Sequence, residues 1–574
     1  MKRTLKTVAT VALAGFVVAS CSSLNKMKRL EKNIAYKVTP EMLEAKGGQV
    51  DLKIDATIPA KYFNKKVTLV ATPVLKFQNG GEKAYEPKTF QGEKVQGNNE
   101  VVPYATEKTV NYSGTVPFEE GMRVSGLYVK FQGSKGKKSA DYESRKIADG
   151  VIATATMVNN APAIAIGADQ FERITKEEQE AAIYYLINSA QIRTKEMSSK
   201  EIKAMEKFIK DAKAAEDMEL KNIQIQSYAS PDGPMSFNEN LANNREGAAD
   251  KFVKNNMKKN KVEEYKDLDF FKKYVVAEDW EGFKKAMEAS SIRDKELILR
   301  VLAMHSDPEV REREIKNIAS AFAVVADQIL PKLRRSLFVV NTELIGKSDD
   351  ELKALAKSSP AELNVEELLY SATLFDNNND KLAIYETCMR QFPNDWRGFN
   401  DAGMIQFEMG NIAAAQSNFN KANSMSANNP VVQNNLGAVA LKNGDLKQAE
   451  IYFGAATGAG DEVNYNKGIV AIKSGDYAAA VNYFGQCNCV NAALANVLAG
   501  NNNEALKKLN AENKECPMSY YLKAVIGART NDATAVIENL KKACSLDASF
   551  KQLAATDMEF VKFFENNDFV TITK

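Results

Sequence analysis

The sequence predicts a multidomain chain: an N-terminal all-β sandwich, a central α+β domain with a helical insertion, and a C-terminal α-solenoid. Three observations predict it. From about Gln49, apolar and polar residues alternate in short runs separated by Gly and Asn clusters, the period of half-buried strands. At 222–253 the alternating Ile223, Ile225 and Tyr228 meet Ser-Pro-Asp-Gly-Pro, and Phe237, Leu241, Ala248 and Phe252 then follow at helical spacing. That is a strand, a forced turn and a helix. From about Ala361, five small or aromatic positions recur at an offset of 34 residues, the mark of a repeat array.

Composition sets limits before any motif does. The chain has 574 residues, 26% of them charged, with a net charge of +2, so no global field points to nucleic acid or an acidic substrate. A single histidine, His305, argues against histidine-dependent catalysis and histidine metal sites. His305 precedes Ser-Asp-Pro and reads as a helix-end residue. Cys388, Cys487, Cys489, Cys516 and Cys544 read as small buried residues on helices; Cys487 and Cys489 are too near each other for an easy mutual bridge. No cofactor or metal is expected.

At the start, Lys2, Arg3 and Lys6 precede an apolar run, Val8 to Val18, too short to span a membrane. Val18-Ala19-Ser20-Cys21 resembles the lipobox of bacterial lipoproteins. The resemblance implies a signal peptide over 1–20 and a lipidated Cys21, with membrane affinity growing by roughly 0.8 kcal/mol per buried methylene. Ser22 is not the Asp of an inner-membrane retention signal, and no acidic surface-export run follows, so the expected location is the outer membrane, facing the periplasm. Residues 21–45, polar and lysine-rich, read as the tether.

The sandwich is expected over 46–160. Val50 to Ala56 alternates strictly, and runs at 67–71, 110–116, 123–131 and 151–158 continue the spacing of strands and turns. Tyr62, Tyr85, Tyr104, Tyr112 and Tyr128 read as rim and core residues, the alternative being a sugar-binding face.

The strand–turn–helix at 222–253 resembles the signature of the OmpA-like peptidoglycan-binding domain. Tyr228, Gly233, Asn238, Leu241 and Arg245 fit the family spacing without a gap, whereas Ser230 stands where the family has Asp and the nearest carboxylate is Asp232. The resemblance implies an α+β domain over 161–345 that grips diaminopimelate, with Ser230, Asp232, Asn238 and Arg245 as site residues. Diaminopimelate carries a free carboxylate and a free ammonium on one carbon. A guanidinium offers forked donors to the first and a carboxylate takes the second. A strand to Ile187, a helix capped by Ser199 and running to Ala214, and a final strand at Leu333-Arg334-Arg335 fit the same domain, with a helical insertion at about 276–331.

Gly403, Gly410, Ala415, Phe419 and Ala422 recur as Gly437, Gly444, Ala449, Phe453 and Ala456, and a shorter copy gives Gly468, Gly475, Ala480, Phe484 and Cys487. This resembles the tetratricopeptide repeat and implies a solenoid over 346–574 whose concave face takes a peptide or a partner's helix. Asn400, Asn434, Asn435, Asn464 and Asn466 lie on first helices and are the candidate partner-binding amides.

Together the resemblances imply an envelope lipoprotein of the Bacteroidota. It is expected to bind peptidoglycan through the OmpA-like domain and an envelope protein on the repeats, with no enzymatic activity. The alternative is an assembly or secretion accessory factor whose OmpA-like domain no longer binds the wall.

Overall fold

Val50, Leu52 and Ile54 alternate with Asp51, Lys53 and Asp55, and in the computed structural model this run is strand β3 (Gln49–Ile58) with its apolar side buried. The structure describes residues 23–511 and 515–574; the signal peptide and Cys21 lie outside them. Among the described residues no helix is long and apolar enough to cross a membrane. The chain divides into one unit formed by the residues up to Ala168 with Asn377–Lys574, and a second, Asp169–Asp376.

In the first unit β3 is flanked by β1 (Ala35–Thr39), β2 (Leu43–Lys46) and β8 (Lys108–Pro117), with β12 (Val151–Ile152) parallel to β2. A second sheet has the order β10 (Lys138–Glu143), β9 (Ser125–Lys135), β4 (Thr68–Phe77), β6 (Lys88–Gly92), β7 (Glu100–Val102), with β5 (Glu82–Ala84) paired to β4 and β11 (Ala148–Asp149) to β9. Inward residues of both sheets, Leu52 and Ile54 with Leu69, Val129 and Phe131 among them, share one core, as expected of a two-layer β-structure. Leu24, Met27 and Ile34 are buried in that core. The expected tether over 21–45 is therefore corrected: its described part is built into the sheets, because its few apolar residues have a face to cover. Tyr62 and Tyr85 are buried, with Tyr62 Oη and Tyr142 Oη 3.0 Å apart, so the tyrosines do not share one outward face.

The second unit holds a four-stranded sheet, ordered β13 (Ile174–Tyr184), β16 (Arg335–Ile345), β14 (Met218–Tyr228), β15 (Phe271–Val276). Helix α1 (Lys200–Ala214), capped by the Ser199 hydroxyl, and α2 (Met235–Lys259) pack on it through Ile202, Met205, Ala249 and Val253. Between β15 and β16 lie α3 (Trp280–Glu288), α4 (Lys295–Met304), α5 (Pro308–Asn317) and α6 (Ala319–Gln328). These have a core of their own, including Phe283, Met287 and Leu302. His305 caps α4, the helix end read from the sequence. Helices α7 (Asp349–Ser358) and α8 (Val365–Thr373) belong to this unit, which moves the expected boundary at 345 to 376.

The solenoid runs from α9 (Asn378–Gln391) through the pairs α10 (Trp396–Glu408) and α11 (Ile412–Met425), α12 (Pro430–Lys442) and α13 (Leu446–Ala455), and α14 (Asp461–Lys473) and α15 (Tyr477–Phe484). It continues with α16 (Val490–Leu498) and α17 (Asn502–Ala511), then α18 (Pro517–Arg529) and α19 (Ala533–Leu546). Gly410, Gly444 and Gly475 close the inter-helix turns at φ of 82°, 82° and 79°, where a side chain is penalised. Phe419, Phe453 and Phe484 lie against Gly403, Gly437 and Gly468, so each ring takes the space a larger residue would claim. Fully burying each Phe is worth about 1.5–3 kcal/mol. Contrary to the sequence reading, Cys487 and Cys489 form a disulfide across a Cα separation of 5.5 Å, within the normal reach of such a bridge.

Within the first unit, the hairpin of β2 and β3 meets the solenoid where Gly47 and Gly475 touch backbone to backbone: a Cβ on Gly475 would lie 2.9 Å from the Gly47 nitrogen. Lys46 lies over the Tyr477 ring, and the Thr154 hydroxyl donates to Glu559, which also takes Arg529.

Gly437→Ala would place a methyl 2.6 Å from the Phe453 ring and is expected to cost about 1–3 kcal/mol in denaturant melts, as overpacking does. Gly454→Ala, on a helix with nothing within 4 Å, is expected to gain about 0.5 kcal/mol.

Candidate functional site

The concave face of the solenoid is lined by first-helix residues at one repeat position: Asp401 on α10, Asn435 on α12, Asn466 on α14 and Asn491 on α16. Each is buried. A buried amide or carboxyl must find partners, and here they are the main chain of residues 159–167, an extended strap that follows the 3-10 turn at Thr154–Met157 and runs along the groove. Asn491 Oδ1 accepts from Asn159 N at 2.8 Å, Asn466 Oδ1 from Ala163 N at 2.8 Å, Asn435 Oδ1 from Ala165 N at 2.8 Å, and Asp401 Oδ1 from Gly167 N at 2.7 Å. The strap carbonyls are held as well: Ala163 O accepts from Asn466 and Asn434, and Ala165 O from Asn435 and Asn400.

The amides also bond to one another in a single line. Asn466 donates to Asn434, Asn434 to Asn435, Asn435 to Asn400, and Asn400 to Asp401. Chains of this kind strengthen each other in a low dielectric. Every second strap residue from Ala163 to Gly167 presents its N–H to the same side, the period of extended chain. The strap's residues there are small for a reason: a Cβ on Gly167 would lie 3.2 Å from Asp401 Oδ1 and 3.1 Å from the Arg397 side chain.

Asp401 is the terminal acceptor of this line. Burial pushes its carboxyl up to about 7, against the lowering effects of the Asn400 and Gly167 hydrogen bonds and of Arg397. Its Oδ2 is buried without a hydrogen-bond partner.

Of the five amides expected to meet a partner, four hold the strap, so the groove sites expected for an outside protein are taken by the chain itself. Asn464 is the exception. It is exposed and borders a cleft of about 680 Å³ beside Ala163, with Asp461, Glu462, Tyr465 and Tyr483. Sequence reasoning missed Asp401 and Asn491. The 34-residue offset from Asp401 to Asn435 was the available signal for the first.

In the second unit, the turn between β14 and α2 gathers Ser230, Asp232, Gly233, Asn238 and Arg245. Arg245 is fully buried. Its guanidinium donates to three main-chain carbonyls, Ser189 at 3.0 Å, Tyr228 at 2.8 Å and Leu186 at 3.3 Å, and it lies over the Tyr185 ring. Burial pulls it down to about 10, which leaves it charged at neutral pH. No carboxylate is among these partners. Ser230 Oγ accepts from Arg334 Nε at 3.3 Å, and Asn238 donates to Gly233 O at 3.1 Å. Asp232 faces Lys316 of α5 at 3.4 Å, and Gly233 N donates to Glu312 of α5 at 2.6 Å. Nearby, Asp279 pairs with Arg335 at 2.8 Å. The site residues read from the sequence are thus brought to one turn, but Arg245 and Asp232 are not partners. Arg334, Glu312 and Lys316 join the turn from distant sequence.

A tetratricopeptide repeat model matches residues 461–488. No curated protein matches the chain. Among solved structures, YrrB, a tetratricopeptide protein with an unusual peptide-binding site, is similar at 17% identity, covering 29% of this chain and 92% of that one, with a TM-score of 0.25. A tetratricopeptide protein from Parabacteroides merdae is similar at 16% identity over 37% and 91%, with a TM-score of 0.29. PilW, a type IV pilus biogenesis factor, is similar at 17% over 39% and 98%, with a TM-score of 0.28. The C-terminal region is a tetratricopeptide-like solenoid, and its repeats suggest a role in protein–protein interaction.

Two measurements check the groove. Asn435→Ala removes both bonds to Ala165 and strands buried polar groups, at about 1–3 kcal/mol for each group left unpaired; amide exchange at 163–167 is expected to rise. For Asp401, the native carboxyl titrates near 7 and the unfolded one near 4, so the native state binds the extra proton between those values. Stability from this group is fully present below about pH 4 and lost as pH rises to about 7. Asp401→Asn, which keeps the acceptor oxygen, is expected to flatten urea melts compared between pH 5 and pH 8.

Proposed function

We propose that this chain is a non-enzymatic outer-membrane lipoprotein, facing the periplasm, that binds peptidoglycan through the Asp169–Asp376 unit and docks an envelope protein on its solenoid. The observation that carries the reading is the β14–α2 turn. There Ser230, Asp232, Asn238 and Arg245 sit on a strand, turn and helix in the spacing of the OmpA-like signature, and the Asp232 carboxylate lies within electrostatic reach of the Arg334 guanidinium, the pair of charges a diaminopimelate end requires. The lipobox pattern at Val18–Cys21 supports the lipid anchor. The single histidine supports recognition without catalysis. Anchoring would confine a weak wall contact near its polymer and raise its effective concentration.

Because the strap takes the main-chain sites of the groove, the protein partner is assigned to the cleft beside it, at Asp461, Glu462, Asn464, Tyr465 and Tyr483, where side chains are the available contacts. The second reading is an assembly or secretion factor whose central unit no longer meets the wall. Its support is the Lys316 ammonium already on Asp232.

Co-sedimentation with purified peptidoglycan sacculi tests the choice. The parent is expected in the pellet and to be released by free meso-diaminopimelate, with Asp232→Ala reduced about fivefold or more. Arg245→Ala is expected to lower thermal stability instead, since three carbonyls lose their donor. A parent that stays wholly in the supernatant, with or without competitor, favours the accessory-factor reading.

A further inference from the structure

We propose that helix α5 is an internal occupant of the β14–α2 turn, and that a ligand bearing adjacent ammonium and carboxylate groups binds by displacing it. The proposal rests on the wall-binding reading above and concerns how that site is regulated.

The turn offers two things side by side: the Asp232 carboxylate and the Gly233 N–H. Nothing lies within 4 Å of where a Gly233 side chain would start, yet its φ is +108°. Backbone conformation, not crowding, therefore calls for glycine here. An anion beside an N–H is a receptor for a cation beside an anion. α5 supplies that pair from Glu312 and Lys316, one helical turn apart on one face and bonded to each other. The Glu312 carboxylate accepts from Gly233 N at 2.6 Å, and the Lys316 ammonium lies 3.4 Å from Asp232 Oδ1. An amino acid's own ammonium and carboxylate present the same pattern. The diaminopimelate end of a wall peptide is such a group.

The occupant is built to leave. Ile315 is the one buried residue of α5, so little apolar area holds the helix down. The Lys316 and Asp232 side chains are 41% and 27% exposed, and ion pairs in contact with water are weak. An element held by few buried contacts opens at low cost. Arg334, on the Ser230 hydroxyl and within electrostatic reach of Asp232, supplies a cation for the incoming carboxylate.

The experiment uses the full chain in mild detergent with sacculi and with free meso-diaminopimelate. The double variant Glu312→Gln, Lys316→Gln keeps side-chain size but removes both charges. It is expected to be retained by sacculi about tenfold more strongly than the parent, while Asp232→Asn is retained less. Amide exchange across 308–317 of the parent is expected to accelerate several-fold under saturating diaminopimelate; this arm needs no variant and is unaffected by any loss of stability. Equal retention of parent and double variant, with unchanged exchange at 308–317, overturns the occupant proposal but leaves wall binding intact. Retention of neither, with no exchange response, overturns wall binding and the occupant proposal together.

Discussion

The strap in the solenoid groove is the constraint on which the first unit depends. A concave face lined by Asn400, Asn434, Asn435, Asn466, Asn491 and Asp401 carries many buried donors and acceptors that stacked helices cannot satisfy among themselves. An extended chain has the opposite problem, a row of N–H and C=O groups with no strand beside it. Each solves the other's deficit. Because Ala163 and Ala165 are held through both N–H and C=O, the contact depends on main chain more than on side-chain identity. The remaining requirement is smallness, enforced at Gly167 by Arg397 and Asp401.

That arrangement explains why the β-region and the solenoid form one unit although more than two hundred residues separate them in the chain. The strap follows the 3-10 turn at Thr154–Met157 that succeeds β12, the Gly47–Gly475 contact joins a hairpin to an inter-helix turn, and Glu559 ties Thr154 to Arg529. The main-chain sites of the groove are used in cis, and a cleft lies open around Asn464.

The second unit repeats the theme with charges. Arg245 has been drawn into a structural role by three carbonyls and an aromatic face, while the half-buried turn around Asp232 and Gly233 is met by α5. In both units a segment of the chain completes polar groups that another segment leaves open. The helical insertion is thereby more than a spacer: its own core around Phe283 and Leu302 gives α5 a base from which to reach the turn.

Much of this was legible in sequence wherever the signal is local and periodic. Alternation placed β3 and β14, the Ser199 cap placed α1, and the 34-residue recurrence placed the helix pairs, because the periods of strand and helix are written in which residues must be buried. The groove amides were legible as a class, since four of the five chosen lie on the inner face. Their ligand was not. The strap at 159–167 has no periodic apolar signature, and its docking depends on hydrogen bonds to residues 234 to 332 positions away, so only tertiary structure could bring the two together. The same holds for Lys316 on Asp232, for the core positions of Leu24 and Met27, and for the carbonyl cage around Arg245. Sequence by itself determined the elements and the chemistry they carry; the folded chain decided which of those groups are free to meet a partner, because satisfaction of a buried polar group is a property of the neighbours that folding supplies.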